Sequence, residues 1–257
     1  MAIEKRPISV TSERPRQESG FAELWRVLIQ AAVIAVVIRT FLFQPFNIPS
    51  ASMKATLLIG DYLFVSKYSY GFSHYSLPFS PPLFSGRILA SPPQRGDVVV
   101  FRLPREDSID YIKRVIGLPG DRIQMIHGVL NINGEPVKRQ QMEDFVETTE
   151  AGTAAPVKRW RETLPNGVSY TTLDITDESY YDNTNVYVVP PGNYFMMGDN
   201  RDNSMDSRTP HVGFVPFENI VGRAEIIFFS VYEDEHGWAF WRWPWSVRWD
   251  RLLTIVR

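Results

Sequence analysis

With 257 residues, 44% of them apolar, the chain is long enough for one large or two modest domains with a real core, and its composition excludes disordered or collagen-like classes. A net charge of −2 gives no bulk attraction to nucleic acid or anionic lipid. The absence of cysteine excludes a disulfide framework, a zinc finger and a thiol nucleophile, and four histidines with no i, i+4 pair argue against a metal hydrolase.

Residues 1–21 are charged, Pro- and Ser-bearing and poor in apolar side chains, the pattern of a flexible tail. Residues 27–43 are apolar apart from Gln30, Arg39 and Thr40. Seventeen helical residues rise roughly 25 Å, slightly short of a hydrocarbon core, so Arg39 has to reach for the far interface. Three readings fit this stretch: a buried helix, a cleaved signal peptide ending in Ser50-Ala51-Ser52, and an uncleaved anchor over 22–44. The apolar run exceeds a usual signal-peptide core and carries Arg39 near its end, which favours the anchor. Lys5, Arg6, Arg14, Arg16 and Arg26 precede or open the span, whereas Arg39, Lys54 and Lys67 follow it, favouring a cytoplasmic N-terminus.

Pro45 and Pro49 stop any helix, and Pro49-Ser50-Ala51-Ser52-Met53 follows as an extended segment. Serines in such a place commonly cap or turn. Beyond residue 60 the pattern is β: 62–67, 97–103, 111–116, 122–126, 129–132, 187–189, 194–197 and 220–231 are rich in β-branched and aromatic residues between Gly, Pro or Asn. His127-Gly128 and Asn133-Gly134 are turn signals. Residues 74–95 read as a long surface loop and 138–186 as a polar inserted subdomain with little core. The expected fold is mainly β: an antiparallel core over 45–137 and 187–232, an inserted smaller β subdomain, and one N-terminal transmembrane helix. The Trp/Arg-rich segment 233–257 reads either as a core plug or, in an anchored chain, as an interfacial patch.

Serine chemistry without a nearby histidine needs another base, and a desolvated lysine can serve because burial disfavours its charged form. On a strand, Lys113 shares a face with Tyr111 and Val115, an apolar setting; the same pattern also suits a lysine guarding a strand edge. The dense polar stretch 198–208 is a solvated or ion-binding loop by composition, with neither the acidic spacing nor the helices of an EF-hand.

Three stretches taken together resemble the boxes of bacterial type I signal peptidases. They are Pro49-Ser50-Ala51-Ser52-Met53 with Ile59-Gly60-Asp61, then Asp110-Tyr111-Ile112-Lys113-Arg114 with Gly117-Leu118-Pro119-Gly120-Asp121, then Gly198-Asp199-Asn200-Arg201-Asp202-Asn203-Ser204 with Asp206-Ser207-Arg208. They follow the family's order after a membrane span and cover roughly 22–135 and 187–232; the tail and the insert carry none of the signal.

The resemblance implies a membrane-bound serine endopeptidase that removes signal peptides from exported preproteins after small residues. Ser52 is then the nucleophile and Lys113 the general base; the Ser52 N–H and Ser50 hydroxyl are the oxyanion donors. Ser204 orients the lysine, while Asp199 with Arg114, and Asp206 with Arg208, support the loop. An extended substrate docks between 48–51 and 110–113, with Ile48, Met53, Leu57, Leu63, Tyr111 and Ile112 as lining. No cofactor, metal or nucleic acid is expected; the partners are signal peptides and the bilayer, for a monomer near the export translocon of the bacterial inner membrane. Ala51 stands where glycine is common and Ala55 where proline is, so the backbone at 51 is expected to be β-like. A repressor-type protease with a similar dyad would need a DNA-binding domain that residues 1–45 cannot supply, and a non-enzymatic envelope scaffold is the other alternative.

Overall fold

The computed structural model describes residues 20–148, 154–232 and 240–257. Most of the expected tail, and residues 233–239 of the Trp/Arg segment, lie outside them.

Helix α1 (Gly20–Phe41) has 22 residues, a mean hydropathy of 2.0 over its most apolar window and no buried residue in that window. Its rise of about 33 Å suffices to cross a bilayer. Glu23 in the first turn and Arg39 in the last complement the helix dipole. The apolar run does not remain helical to residue 44, because Pro45 disfavours helix at the residue before it.

Instead, β1 (Phe43–Asn47) pairs antiparallel with β2 (Asp61–Ser66). In chain order there follow β3 (Val98–Leu103), β4 (Glu106–Gly117), β5 (Arg122–Ile126), β6 (Val129–Ile132), β7 (Glu135–Pro136), β8 (Lys138–Gln141), β9 (Phe145–Thr148), β10 (Ala154–Thr163) and β11 (Ser169–Asp174). The last are β12 (Tyr187–Val188), β13 (Asn193–Met197), β14 (Val215–Pro216), β15 (Ile220–Ser230) and β16 (Thr254–Ile255). The main sheet runs β1-β2-β15-β3-β4-β13-β14, with β16 also on β15, and its pairings are antiparallel. Core strands such as Val98–Leu103 are apolar on both faces because both are covered, one by a cluster around Met53, Leu57 and Val100, the other by one around Phe101, Val115 and Met196.

A second sheet, β12-β5-β6-β7, is built on the two turn signals. His127-Gly128 and Asn133-Gly134 all have positive φ, as a hairpin turn matched to strand twist requires. The insert forms β8–β11 in one further antiparallel group. Its expected lack of core is corrected: Leu164 and Tyr170 are buried in a cluster shared with Ile116, Ile123 and Phe195. The insert looks polar in sequence because it buries its apolar side chains against the core strands.

The stretch 74–95 is irregular but tied down. Arg87 donates to the carbonyls of Tyr70, Gly71, Phe217 and Ile220 at 2.6–3.1 Å, which fixes the loop base. At the C-terminus Arg251 binds the buried Asp61 carboxylate and the Thr56 carbonyl, and Arg248 donates to Ile59 and Val231 carbonyls. Of the four described tryptophans of that segment, Trp241, Trp245 and Trp249 are exposed, and Trp243 packs its ring 5.0 Å from that of Phe229.

Candidate active site

Ser52 lies in the connection between β1 and β2. Ser50 is extended (φ −130°, ψ 153°), and residues Ala51–Met53 then wind into a single 3₁₀ turn. The β-like backbone expected at residue 51 is therefore corrected: alanine has no positive φ here, and the negative-φ alternative it takes is helical. The turn is held by Met53 and Leu57, both fully buried in the core. The Asn200 N–H caps the Ser52 carbonyl at 3.1 Å.

Lys113 comes from β4, where it is paired with Val99 of β3. Strand β13 pairs with β4 only as far as Arg114, so at Lys113 the sheet stops on that side and leaves an opening beside Ser52. Lys113 Nζ lies 2.6 Å from Ser52 Oγ and 2.9 Å from the Ile112 carbonyl, with the side chain 3% exposed. Burial pushes its pKa down to about 8; the Asp206 and Asp199 carboxylates work in the opposite sense. Lys113 Nζ also stands 5.3 Å from the Tyr111 ring. Ser50 Oγ is 3.3 Å from Ser52 Oγ, so three of the residues singled out in sequence meet at one point.

Around the dyad the charges are paired. Arg114, fully buried, donates to both oxygens of Asp199 at 2.8 and 2.6 Å. Arg208 binds both oxygens of Asp206 at 2.9 and 2.8 Å. Burial raises the Asp206 carboxyl, but Arg208 and the Gly198 N–H outweigh it and hold the pKa below the usual carboxylate value. The geometry also includes residues that sequence reasoning missed. Thr56 donates to Asp199 at 2.5 Å, and Tyr170 of the insert faces the Arg114 guanidinium at 4.2 Å. Neither position carried a signal, because both are tertiary partners from segments without a motif.

Ser204 departs from its expected place. Its buried Oγ makes no hydrogen bond to Lys113; it is directed instead at the Asp206 carboxylate, which it helps hold low, and lies over Gly198, where an added Cβ would come within 2.2 Å of it.

A groove of about 380 Å³ opens on the dyad. Of the six expected lining residues, Ile48, Tyr111 and Ile112 form its walls, joined by Phe46, Val100 and Met205. Met53, Leu57 and Leu63 do not line it. They lie in the core cluster: the turn that brings Ser52 to the groove directs Met53 inward, and Leu57 packs beside it. Among the described residues, no group of three His, Asp or Glu side chains is placed to hold a metal ion.

Residues 21–229 match the family described as signal peptidase, peptidase S26. A signal peptidase I of Rickettsia canadensis is 46% identical over 217 residues, covering 81% of this chain and 80% of that one. One from Rickettsia typhi is 48% identical over 205 residues, covering 77% and 76%. A crystal structure of a signal peptidase I from Enterococcus faecalis is 28% identical and covers 52% of this chain and 97% of that one, with a TM-score of 0.30, too loose a superposition to bear on the fold.

Proposed function

The chain belongs to the signal peptidase family, peptidase S26, and from that membership we infer that it is a membrane-bound serine endopeptidase that removes N-terminal signal peptides from exported preproteins. We propose Ser52 as the nucleophile and Lys113 as the general base. The observation that carries this assignment is the 2.6 Å contact between Lys113 Nζ and Ser52 Oγ in a site dry enough to bring the lysine pKa down to about 8.

In the ammonium form Lys113 donates to Ser52 Oγ; once it loses a proton, the same contact carries the serine O–H to the amine lone pair. Ser52 Oγ then attacks the scissile carbonyl as Lys113 takes the proton, and the developing oxyanion is met by the Ser52 N–H and the Ser50 hydroxyl. Lys113 returns the proton to the leaving amine, and water activated by the neutral lysine hydrolyses the ester. The substrate lies extended in the groove, where Ile48 and Ile112 leave room for small side chains before the cut, an Ala-x-Ala pattern.

The finer setting is part of the same proposal: a monomer in the bacterial inner membrane near the translocon, its N-terminus cytoplasmic and its core, 45–137 with 187–232, on the outer side. Basic residues before the span support that orientation. The exposed Trp241, Trp245 and Trp249 suit the headgroup level of the bilayer. Preprotein cleavage in detergent micelles tests the assignment: Ser52→Ala and Lys113→Ala each abolish turnover while circular dichroism is unchanged. Near-wild-type turnover in either variant overturns it.

A further inference from the structure

The oxyanion donor on the main chain is only as good as the orientation of its peptide. In a trans peptide the C=O and N–H point in opposite directions, so a group that holds the Ala51 carbonyl also sets where the Ser52 N–H points. Two donors hold that carbonyl: the Lys54 N–H at 3.0 Å, from the 3₁₀ turn itself, and Asn200 Nδ2 at 3.2 Å. The Asn200 main-chain N–H holds the next carbonyl, that of Ser52, at 3.1 Å. One residue thus grips two successive carbonyls on the same side of the nucleophile turn.

Asn200 is itself rigidly placed. It is 1% exposed, and Leu173 of β11 binds the main chain on both sides of it: the Leu173 N–H donates to the Asp199 carbonyl and the Arg201 N–H to the Leu173 carbonyl, each at 2.9 Å. Asp199 is fastened to Arg114, and the Arg201 guanidinium to Glu162 of β10 at 2.5 and 3.0 Å. Asn200 Oδ1 is buried without a partner. A residue kept only to satisfy a polar network would use both ends of its amide; here the side chain spends only its donor, on Ala51. Ser50-Ala51-Ser52 has no bulky side chain to hinder rocking of that peptide, so the short turn alone would define it loosely.

On the Ser52–Lys113 reading, we propose that Asn200 is a positioning residue that locks the Ala51–Ser52 peptide with its N–H directed at the developing oxyanion. The inserted sheet thereby becomes part of the catalytic apparatus, since β11 fixes Asn200 in place.

The test compares wild type, Asn200→Ala and Asn200→Asp as full chains in micelles. Asn200→Ala keeps the main-chain bond and loses only the side-chain donor, whereas Asn200→Asp sets a carboxylate against the Ala51 carbonyl. By the scale of oxyanion-donor deletions, kcat should fall about 100-fold in Asn200→Ala and at least as far in Asn200→Asp. In Asn200→Ala, KM, Tm and the pH midpoint of Lys113 should be unchanged. A signal-peptide aldehyde, whose adduct with Ser52 carries the tetrahedral oxygen, should lose affinity by the same factor, and an uncleavable peptide of the same sequence should lose none. Asn200→Ala with kcat within threefold of wild type, equal losses for aldehyde and uncleavable peptide, or a parallel fall in Tm would each overturn the proposal. A Ser52→Ala control separates the two levels. If that variant is inactive while Asn200→Ala is fully active, only the positioning role falls; if Ser52→Ala remains active, the dyad falls with it.

Discussion

Lowering the pH across the Lys113 titration tests the physical basis of the site. Burial brings the lysine pKa from 10.5 to about 8 despite the opposing pull of Asp206 and Asp199. Only the neutral amine accepts the Ser52 proton. A group with a pKa of about 8 is about 90% neutral at pH 9, about 9% at pH 7 and about 1% at pH 6. On a signal-peptide substrate in detergent, kcat/KM should therefore be flat above pH 9 and fall about 100-fold by pH 6, with a midpoint near 8. Initial rates over pH 5.5–10.5, corrected for enzyme inactivation, supply the curve. Two results would refute the reasoning. A rate still rising tenfold per unit at pH 10 means that the lysine is not desolvated in the working enzyme. A midpoint near 6.5 points to a histidine, and none of the described histidines, His74, His127 and His211, lines the groove.

The same shift has a consequence for stability. The unfolded chain keeps its Lys113 proton to about pH 10.5 and the folded chain loses it near 8, so wild type gains about 3 kcal/mol from this residue as pH rises through that window. Urea titrations of Lys113→Met should lack that gain. Lys67, also buried and brought down to about 8, contributes equally to both proteins and cancels, so parallel curves would mean that Lys113 is not desolvated in the folded chain. Asp199→Ala leaves the fully buried Arg114 guanidinium without its carboxylate, which should cost about 3–5 kcal/mol, read as a fall in the urea midpoint; a loss under about 0.5 kcal/mol would mean that Thr56 and the Gly96 carbonyl suffice. Gly198→Ala places a Cβ 2.5 Å from the Ser52 carbonyl as well as against Ser204, and should lower kcat at least ~10-fold by displacing the nucleophile turn. Wild-type kcat there would show that the turn can yield without harm.

The parts of the fold legible in the sequence are those where local chemistry and tertiary burial agree. The strands at 122–126 and 129–132 occur at the expected residues because β-branched side chains and a positive-φ turn dictate the same hairpin. The pairing of Ser52 with Lys113 was expected only from the resemblance of their two motifs to the boxes of a family, since composition alone left Lys113 equally a strand-edge lysine; the structure brings the two residues, 61 apart, to 2.6 Å. Strand β1 was hidden by Pro45 and Pro49; an edge strand tolerates the missing N–H, and its partner β2 supplies the pairing. Strand β4 begins at Glu106 rather than near 111 because β3 pairs with it through exposed charged residues that carry no β signal. Met53, Leu57 and Leu63 were expected in the groove from their positions in the resembling boxes, whereas all three are buried in the core cluster, Met53 turned inward by the 3₁₀ turn. The insert's hold on the 199–201 loop through Leu173, Glu162 and Tyr170 exists only in three dimensions.

The central claim is that Ser52 becomes acylated with Lys113 as its base, and trapping the intermediate tests it most directly. Signal-peptide substrate and full-length enzyme in micelles are quenched in acid within the first turnover, and the digested protein is searched for the acyl mass. The acyl group should be found on the peptide containing Ser52 and be absent in both Ser52→Ala and Lys113→Ala. An acyl group on any other residue, or an undiminished adduct in Lys113→Ala, would contradict it.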